Sequence, residues 1–334
     1  MSTAFTLQLQ GTTWVCKNQD VIYDGVYLFT NQRGLSKTAL MPPPSIPATW
    51  ISVYGSLAIS QVGKENPNGG INEAGLVVEQ TTLWSSEYPT VDERPAISEL
   101  QWIQYLLDTS RTVQEALKCV ENIRIAQATS QLHYLIADRS GDYAIVEFIS
   151  GQMFVHRRPL PFAVITNTAY GDAIHDLKAG QSEWASMTDY ERNSMERLQT
   201  VNDALASTSP MLNAGNVMKL FDLLGSSSRP DTVYSLVYDL EHSEIHITTR
   251  NHANCIGKIR LKDFNFDKSS PAQVLDVQTG WGAHRALVFQ DYSAELNMAA
   301  VRSFFRDPVL TSVFQWEISE ELIHHIAHYP DSCV

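Results

Sequence analysis

The sequence predicts an α+β fold whose helices pack on the outer faces of antiparallel sheets. Three observations predict it. Short β-branched or aromatic stretches recur in runs. Two of those runs carry hairpin turns, which make antiparallel meanders. Amphipathic helical stretches come in pairs between the runs.

In chain order, "QLQGTTWVCKNQD" (8–20) reads as a short strand, and "VYLFT" (26–30) as another. "MPPPSIP" (41–47) is an extended surface loop. In "GGINEAGL", Asn72 belongs to a tight turn beside Gly69 and Gly70 that feeds a strand at 75–80. "RPAISELQWIQYLLD" (94–108) places Ile97, Leu100, Ile103 and Leu107 on one helix face, with Pro95 near its first turn. "TVQEALKCVENI" (112–123) opens with a capping box, Thr112 and Glu115. "IADRSGDYAIVEF" is a hairpin joining strands 132–138 and 143–149 around Gly141. Strands at 153–157 and 162–167 follow. Helices at 188–205 and 214–225 come next, then a second hairpin in "VYSLVYDLEHSEIHITT".

The totals narrow the function. The chain has 334 residues and a net charge of -13, so phosphate backbones are repelled and nucleic acid is not an expected partner. No apolar run is long enough to span a bilayer, and "MSTAFTLQLQ" lacks the features of a secretory signal. A membrane partner is therefore not expected. Cys16, Cys119, Cys255 and Cys333 lie far apart with no CxxC, which fits a reducing cytoplasm rather than a disulfide scaffold or zinc site. His324 and His328 have helix spacing suited to a metal, but no acidic third ligand shares their face. His133 reads as a hydrogen-bonded core histidine. There is no P-loop and no G-x-S-x-G elbow.

Five stretches, taken in order, carry a resemblance: "NPNGGINEAGLVVEQ", "ISELQWIQYLLD", "LHYLIADRSGDYAIVEF", "VITNTAY" and "TVYSLVYDLEHSEIHI". Together they resemble the linear-amide C–N hydrolases, which include penicillin V acylases and conjugated bile acid (choloylglycine) hydrolases. The resemblance implies a four-layer αββα N-terminal-nucleophile sandwich of two antiparallel sheets. It implies a single domain over 11–334 behind a leader or pro-segment at 1–10. It also implies a small-molecule acyl-amide substrate, no cofactor, and allows a homo-oligomer. In that family a Cys becomes the first residue, its thiol attacks the amide carbon, and its freed α-amine is the base.

Set against the family pattern C-T-T-F-V-L-K-N-G-D, the run Gly11-Thr12-Thr13-Trp14-Val15-Cys16-Lys17-Asn18-Gln19-Asp20 places Gly11 at the nucleophile position. The R-N-x-D motif expected after Asp20, whose aspartate holds the amine and whose arginine lies beside the thiol, has no counterpart there. Asn167 matches the asparagine that donates to the oxyanion. Thr82 falls where relatives place an Asn or Tyr completing the oxyanion hole, and Arg197 matches a late arginine of the charge network. The expectation is a catalytically disabled hydrolase. The alternatives are a binding protein that retains the acyl-amide pocket, with Trp14, Trp84 and Tyr170 lining it, or an active hydrolase using Cys16. Cys16 lies an odd five residues from position 11, so it points to the opposite face of the sheet.

Overall fold

Ser2–Leu9 (β1) and Thr12–Asp20 (β2) form a hairpin in full register, from Leu9↔Thr12 to Ser2↔Gln19. The computed structural model describes every residue except 208–216 and 283–285, and leaves the side chains of Val120 and Glu183 undescribed. A two-residue hairpin loop with both residues left-handed matches the twist of its strands, and here Gln10 has φ 51° and Gly11 φ 84°. The stretch 8–20, expected as one strand, is thus the turn and second half of this hairpin. Residues 1–10, expected as a leader, instead supply β1, whose Ala4 and Phe5 are completely buried.

The chain continues through β3 (Tyr27–Asn31), β4 (Ser36–Thr38), β5 (Thr49–Ile51), β6 (Ser56–Ser60), β7 (Gly69–Asn72) and β8 (Leu76–Thr82). β9 (Ala96–Ser98) leads into α1 (Glu99–Thr109) and α2 (Val113–Val120), followed by β10 (Arg124–Ala126). β11 (Leu132–Asp138), β12 (Tyr143–Ile149), β13 (Gln152–Arg157) and β14 (Val164–Ile165) precede α3 (Tyr170–Ala179), α4 (Asp189–Ser207) and α5 (Val217–Ser226). Then come β15 (Thr232–Asp239), β16 (Glu244–Thr249), β17 (Gly257–Arg260), β18 (Gln273–Asp276) and β19 (Gln290–Asp291). α6 (Ala294–Phe305), α7 (Pro308–Phe314) and α8 (Glu320–His328) close the fold.

Two antiparallel sheets result, ordered β14-β1-β2-β15-β16-β17 and β13-β12-β11-β8-β7-β6-β3-β18-β19. Side chains alternate along each strand, so a strand covered on both faces must be apolar throughout. β8 shows this: Val77 faces the core shared by the two sheets, while Leu76 and Val78 pack under α1 with Trp102 and Ile103. α4 and α5 cover the outer face of the six-stranded sheet through Met195, Leu198 and Leu220. The outcome is the four-layer αββα arrangement. Among the described residues no helix is long and apolar enough to cross a membrane.

Local differences from the expected elements have local causes. The helix expected from 94 starts at Glu99, because the Ser98 hydroxyl caps the Gln101 N–H and the Pro95 carbonyl is taken by Arg124. β14 stops at Ile165, short of 167. Its next backbone groups are committed to side chains: the Thr166 carbonyl accepts from the Thr81 hydroxyl, and the Asn167 N–H donates to Ser194 Oγ at 2.9 Å. Residues 214–216 of the helix expected at 214–225 lie outside the described residues.

Asn72 is the pin between the nine-stranded sheet and α1. It is fully buried, donates to the Leu107 and Ser110 carbonyls at 2.8 and 2.7 Å, and accepts from the Ala74 and Leu76 N–H groups. Removing it strands three buried backbone groups and the half-buried Ala74 N–H, at about 1–3 kcal/mol for each buried one that finds no other partner. Asn72→Ala is expected to lower stability by roughly 3 kcal/mol or more in urea unfolding at unchanged m-value. A loss under ~1 kcal/mol would mean that water or a shifted turn satisfies those groups.

Candidate active site

The hairpin that opens the chain brings its two ends to one place. Ser2 lies opposite Gln19, and Ser2 Oγ stands 3.2 Å from Gln19 Oε1 and 2.5 Å from the Met1 carbonyl. The Met1 amine donates to the Asp20 carbonyl at 2.8 Å, and the Asp20 N–H returns a bond to the Met1 carbonyl at 3.0 Å. The chain leaving β14 places Asn167 beside them, where Asn167 Oδ1 accepts from the Ser2 N–H at 3.0 Å.

Arg197, on the buried side of α4, ties these pieces together. One of its nitrogens donates to the Ser2 carbonyl at 2.6 Å and to Thr3 Oγ1 at 2.7 Å, and the other to Asn167 Oδ1 at 2.7 Å. Asp20 Oδ2 lies 3.9 Å from the guanidinium and is buried with no hydrogen-bond partner among the described residues, while Oδ1 accepts from Thr232 at 2.7 Å. Asn167 Nδ2 donates to the Thr82 carbonyl at 2.8 Å, and among the described residues its second N–H has no acceptor. Thr82, Asn167 and Arg197 are therefore brought together.

Gly11 is not among them. It occupies the exposed turn at the far end of the hairpin, seven strand residues beyond Ser2, roughly 24 Å along an extended chain. Cys16 sits in mid-sheet between Phe5 and Val237, fully buried, and burial pushes its thiol up, away from the thiolate.

Lys17, Asn18, Gln19 and Asp20 end β2, all buried. Lys17 and Gln19 share a sheet face with Ser2. The Lys17 ammonium bonds the Gln80 carbonyl and lies 3.8 Å from Glu79, which also accepts from the Tyr238 hydroxyl at 2.6 Å. Burial lowers Lys17 to about 8, although Glu79 and Asp20 oppose it. Burial likewise raises Glu79 to about 7 despite Lys17 and Tyr238. For both partners desolvation outweighs pairing, so each holds its charge less firmly than in water.

These groups border a cavity of about 180 Å³ with Met1, Gln19, Asp20 and Thr82 on one side and Trp84, Val313 and Phe314 on the other. Of the aromatic residues expected to line a pocket, Trp84 does so. Trp14 is buried in the core between the sheets, and Tyr170 packs on Phe162 and His156.

Behind the Thr166–Asn167 segment runs a second polar network. His133 Nδ1 contacts Glu147 Oε1 at 2.9 Å, and His133 Nε2 contacts the Thr166 carbonyl at 3.1 Å and the Thr81 hydroxyl. Glu147 Oε2 meets His156 Nε2 at 3.1 Å, and the Tyr170 N–H donates to Glu147 Oε1 at 2.8 Å. Burial alone would raise the Glu147 carboxyl, but these hydrogen bonds pull it from 4.5 down to about 2. A depressed carboxyl stabilises the native state above its unfolded value and loses that contribution as pH falls through its folded value. Glu147→Gln is therefore expected to cost on the order of a few kcal/mol at pH 7. The gap to the parent protein in urea unfolding should narrow steadily below about pH 5 as both forms become neutral. A gap that does not change with pH would refute this assignment.

Comparison with known proteins agrees with this architecture. The family model described as acyl-coenzyme A:6-aminopenicillanic acid acyl-transferase matches residues 11–254. The penicillin V acylase of Pectobacterium atrosepticum is 34% identical over 146 residues, a match that spans 39% of each chain. The structure of penicillin V acylase from Agrobacterium tumefaciens superposes with a TM-score of 0.71 at 22% identity, covering 88% of this chain and 98% of that one. An alanine-for-cysteine mutant of conjugated bile acid hydrolase from Clostridium perfringens superposes with a TM-score of 0.68 at 15% identity, over 88% and 97% of the two chains. An αββα sandwich and a family match over most of its length lead to one conclusion: the chain belongs to the acyl-coenzyme A:6-aminopenicillanic acid acyl-transferase family, and a penicillin V acylase is among its relatives.

Proposed function

We propose that this chain hydrolyses linear acyl-amides with Ser2 as an N-terminal nucleophile, exposed when the Met1–Ser2 peptide bond is cleaved. The observation that carries this is the position of the Ser2 backbone nitrogen, 3.0 Å from Asn167 Oδ1 on the same strand end that Arg197 clamps. The family pattern also fits better there. C-T-T-F-V-L falls on Ser2-Thr3-Ala4-Phe5-Thr6-Leu7, and R-N-x-D falls on Lys17-Asn18-Gln19-Asp20, with Lys for Arg and Ser for Cys. Both apparent losses, of nucleophile and of motif, rest on a placement nine residues too late. On this reading the expectation of a disabled enzyme is given up, and Gly11 and Cys16 have no part in the chemistry.

The chemistry follows from the groups in place. The freed Ser2 amine removes the proton from Ser2 Oγ as that oxygen attacks the amide carbon. The free N–H of Asn167 donates to the oxyanion, with Thr82 beside it. The amine product leaves with the transferred proton, giving a serine ester. Water attacks that ester, releases the acid and restores the hydroxyl. The neighbouring amine, that of Met1, shows what this environment does: burial lowers it from 8.0 to about 6, with Asp20 opposing and Arg197 assisting. An amine held that low is neutral at pH 7 and can act as a base. Lys17, shorter and more weakly hydrogen-bonding than the arginine it replaces, holds a positive group on the same face.

The test joins mass spectrometry to amine release. Protein lacking Met1 is expected to liberate amine from linear acyl-amides such as N-acyl homoserine lactones. Ser2→Ala should lose about 10⁴-fold or more in kcat/KM while keeping its melting temperature. Ser2→Cys should retain activity and become sensitive to iodoacetamide, to which the parent is indifferent. The parent's kcat/KM should rise with pH and level off by about pH 7, as the buried amine loses its proton. Turnover that survives Ser2→Ala, or protein that is active with Met1 still attached, would defeat the assignment. Heat stabilisation by these amides without any product would favour a binding protein.

A further inference from the structure

The site cavity of about 180 Å³ is smaller than the roughly 300–1,000 Å³ typical of small-molecule sites. A second cavity, of about 760 Å³, abuts it under the C-terminal helices. Val62, Leu100 and Thr129 line both. The second is walled by the proline loop from Leu40 to Ser45 on one side and by Phe305, Leu322 and Ile326 on the other. Its one carboxylate is spent. Glu99 accepts from the N–H groups of Ala128, Thr129 and Ser130 and from the Thr129 hydroxyl, so its charge is turned into the protein rather than toward the cavity. Phe314 and Val313 continue the apolar lining back to the site.

We infer that the two cavities form one acyl site for a long unbranched hydrocarbon chain, with the carbonyl at Ser2 and the tail passing Leu100 into the second cavity. This rests on the hydrolase reading above and names its substrate class as long-chain N-acyl amides. A narrow first compartment leading into a wide apolar second one admits a chain that is slender near its carbonyl. It excludes a group that is bulky there, such as an aryl ring set close to the amide or a fused steroid. α6, α7 and α8 thereby act as the specificity element, since they supply the far wall of both compartments.

The test is a series of N-acyl p-nitroanilides from butanoyl to hexadecanoyl. Each added CH₂ is expected to raise kcat/KM by about fourfold until the cavity is full. Leu322→Trp and, from the opposite wall, Met41→Trp should each shorten the chain length at which kcat/KM stops rising. Calorimetry with tetradecanoic acid and the Ser2→Ala protein reads the cavity without chemistry: binding is expected, and adding Leu322→Trp should weaken it at least tenfold. No turnover at any length, with that binding intact, places the failure on the nucleophile and keeps the cavity assignment. A kcat/KM independent of chain length, a steroid or aryl amide preferred over every straight chain, or tetradecanoic acid that binds the double variant equally well would overturn the inference.

Discussion

The buried guanidinium of Arg197 is the constraint on which the rest of the site depends. It belongs to α4, in the outer helical layer, yet its nitrogens hold the first strand at Ser2 and Thr3 and the exit of β14 at Asn167. A chain terminus ordinarily frays. Here the first residues are fixed by a charged group that is 4% exposed and could not leave its partners without a large desolvation cost. Its nearest carboxylate, Asp20, approaches without a close hydrogen bond, so the guanidinium's strong bonds go to carbonyl, hydroxyl and amide oxygens at the point where an acyl group would sit. Burial weakens the proton's hold, with Arg229 adding to the effect and Asp20 opposing it, so that Arg197 is lowered to about 10, still cationic throughout the physiological range.

Around that clamp the fold is organised in depth. Asn167 is gripped in front by Arg197 and Thr82, and behind it Ser194 and the Thr81–His133–Glu147 network hold its neighbour Thr166. Thr81, His133 and Glu147 are all buried, and the carboxylate has three partners, two histidines and a backbone N–H, shared over its two oxygens. Such networks are stabilising only when fully satisfied. This one is, and the short segment that carries Asn167 between β14 and α3 is therefore rigidly backed. The Lys17–Glu79–Tyr238 group plays the complementary part on the facing strands, placing a labile proton rather than a fixed charge behind the hairpin.

Much of this is legible in the sequence. The strands 132–138 and 143–149 are readable to the residue, because a D-R-S-G-D turn between apolar runs leaves one register. Thr112 caps α2 as its spacing predicts. Asn167 and Arg197 are legible as site residues only through their neighbours in the family pattern, since nothing in "TNTAY" or "MERLQ" alone separates a clamp from a turn and a solvated helix. Ser2 is hidden for a physical reason. β1 and β2 are partners in one hairpin and carry similar Thr-aromatic alternation, so a pattern that begins C-T-T-F settles as readily on Thr12–Trp14 as on Thr3–Phe5. A search for a thiol also passes over a hydroxyl. The distinguishing signal is the basic-Asn-x-Asp run at the end of β2, which must lie opposite the nucleophile for an antiparallel hairpin to bring them together.

The hydroxyl at residue 2 has a consequence for where such an enzyme can work. A thiol nucleophile climbs an oxidation ladder whose upper rungs are irreversible, and it becomes more vulnerable as its proton is loosened for catalysis. An alcohol has no such ladder. The four cysteines of this chain lie elsewhere, Cys16 sealed in the sheet and the others away from the cavity's lining. A hydrolase built on Ser2 as proposed would have, among the described residues lining its cavity, no sulfur that must stay reduced once Met1 is gone, so peroxide would leave its chemistry untouched. What an enzyme of the proposed kind surrenders in intrinsic nucleophilicity by using oxygen it recovers as indifference to redox conditions.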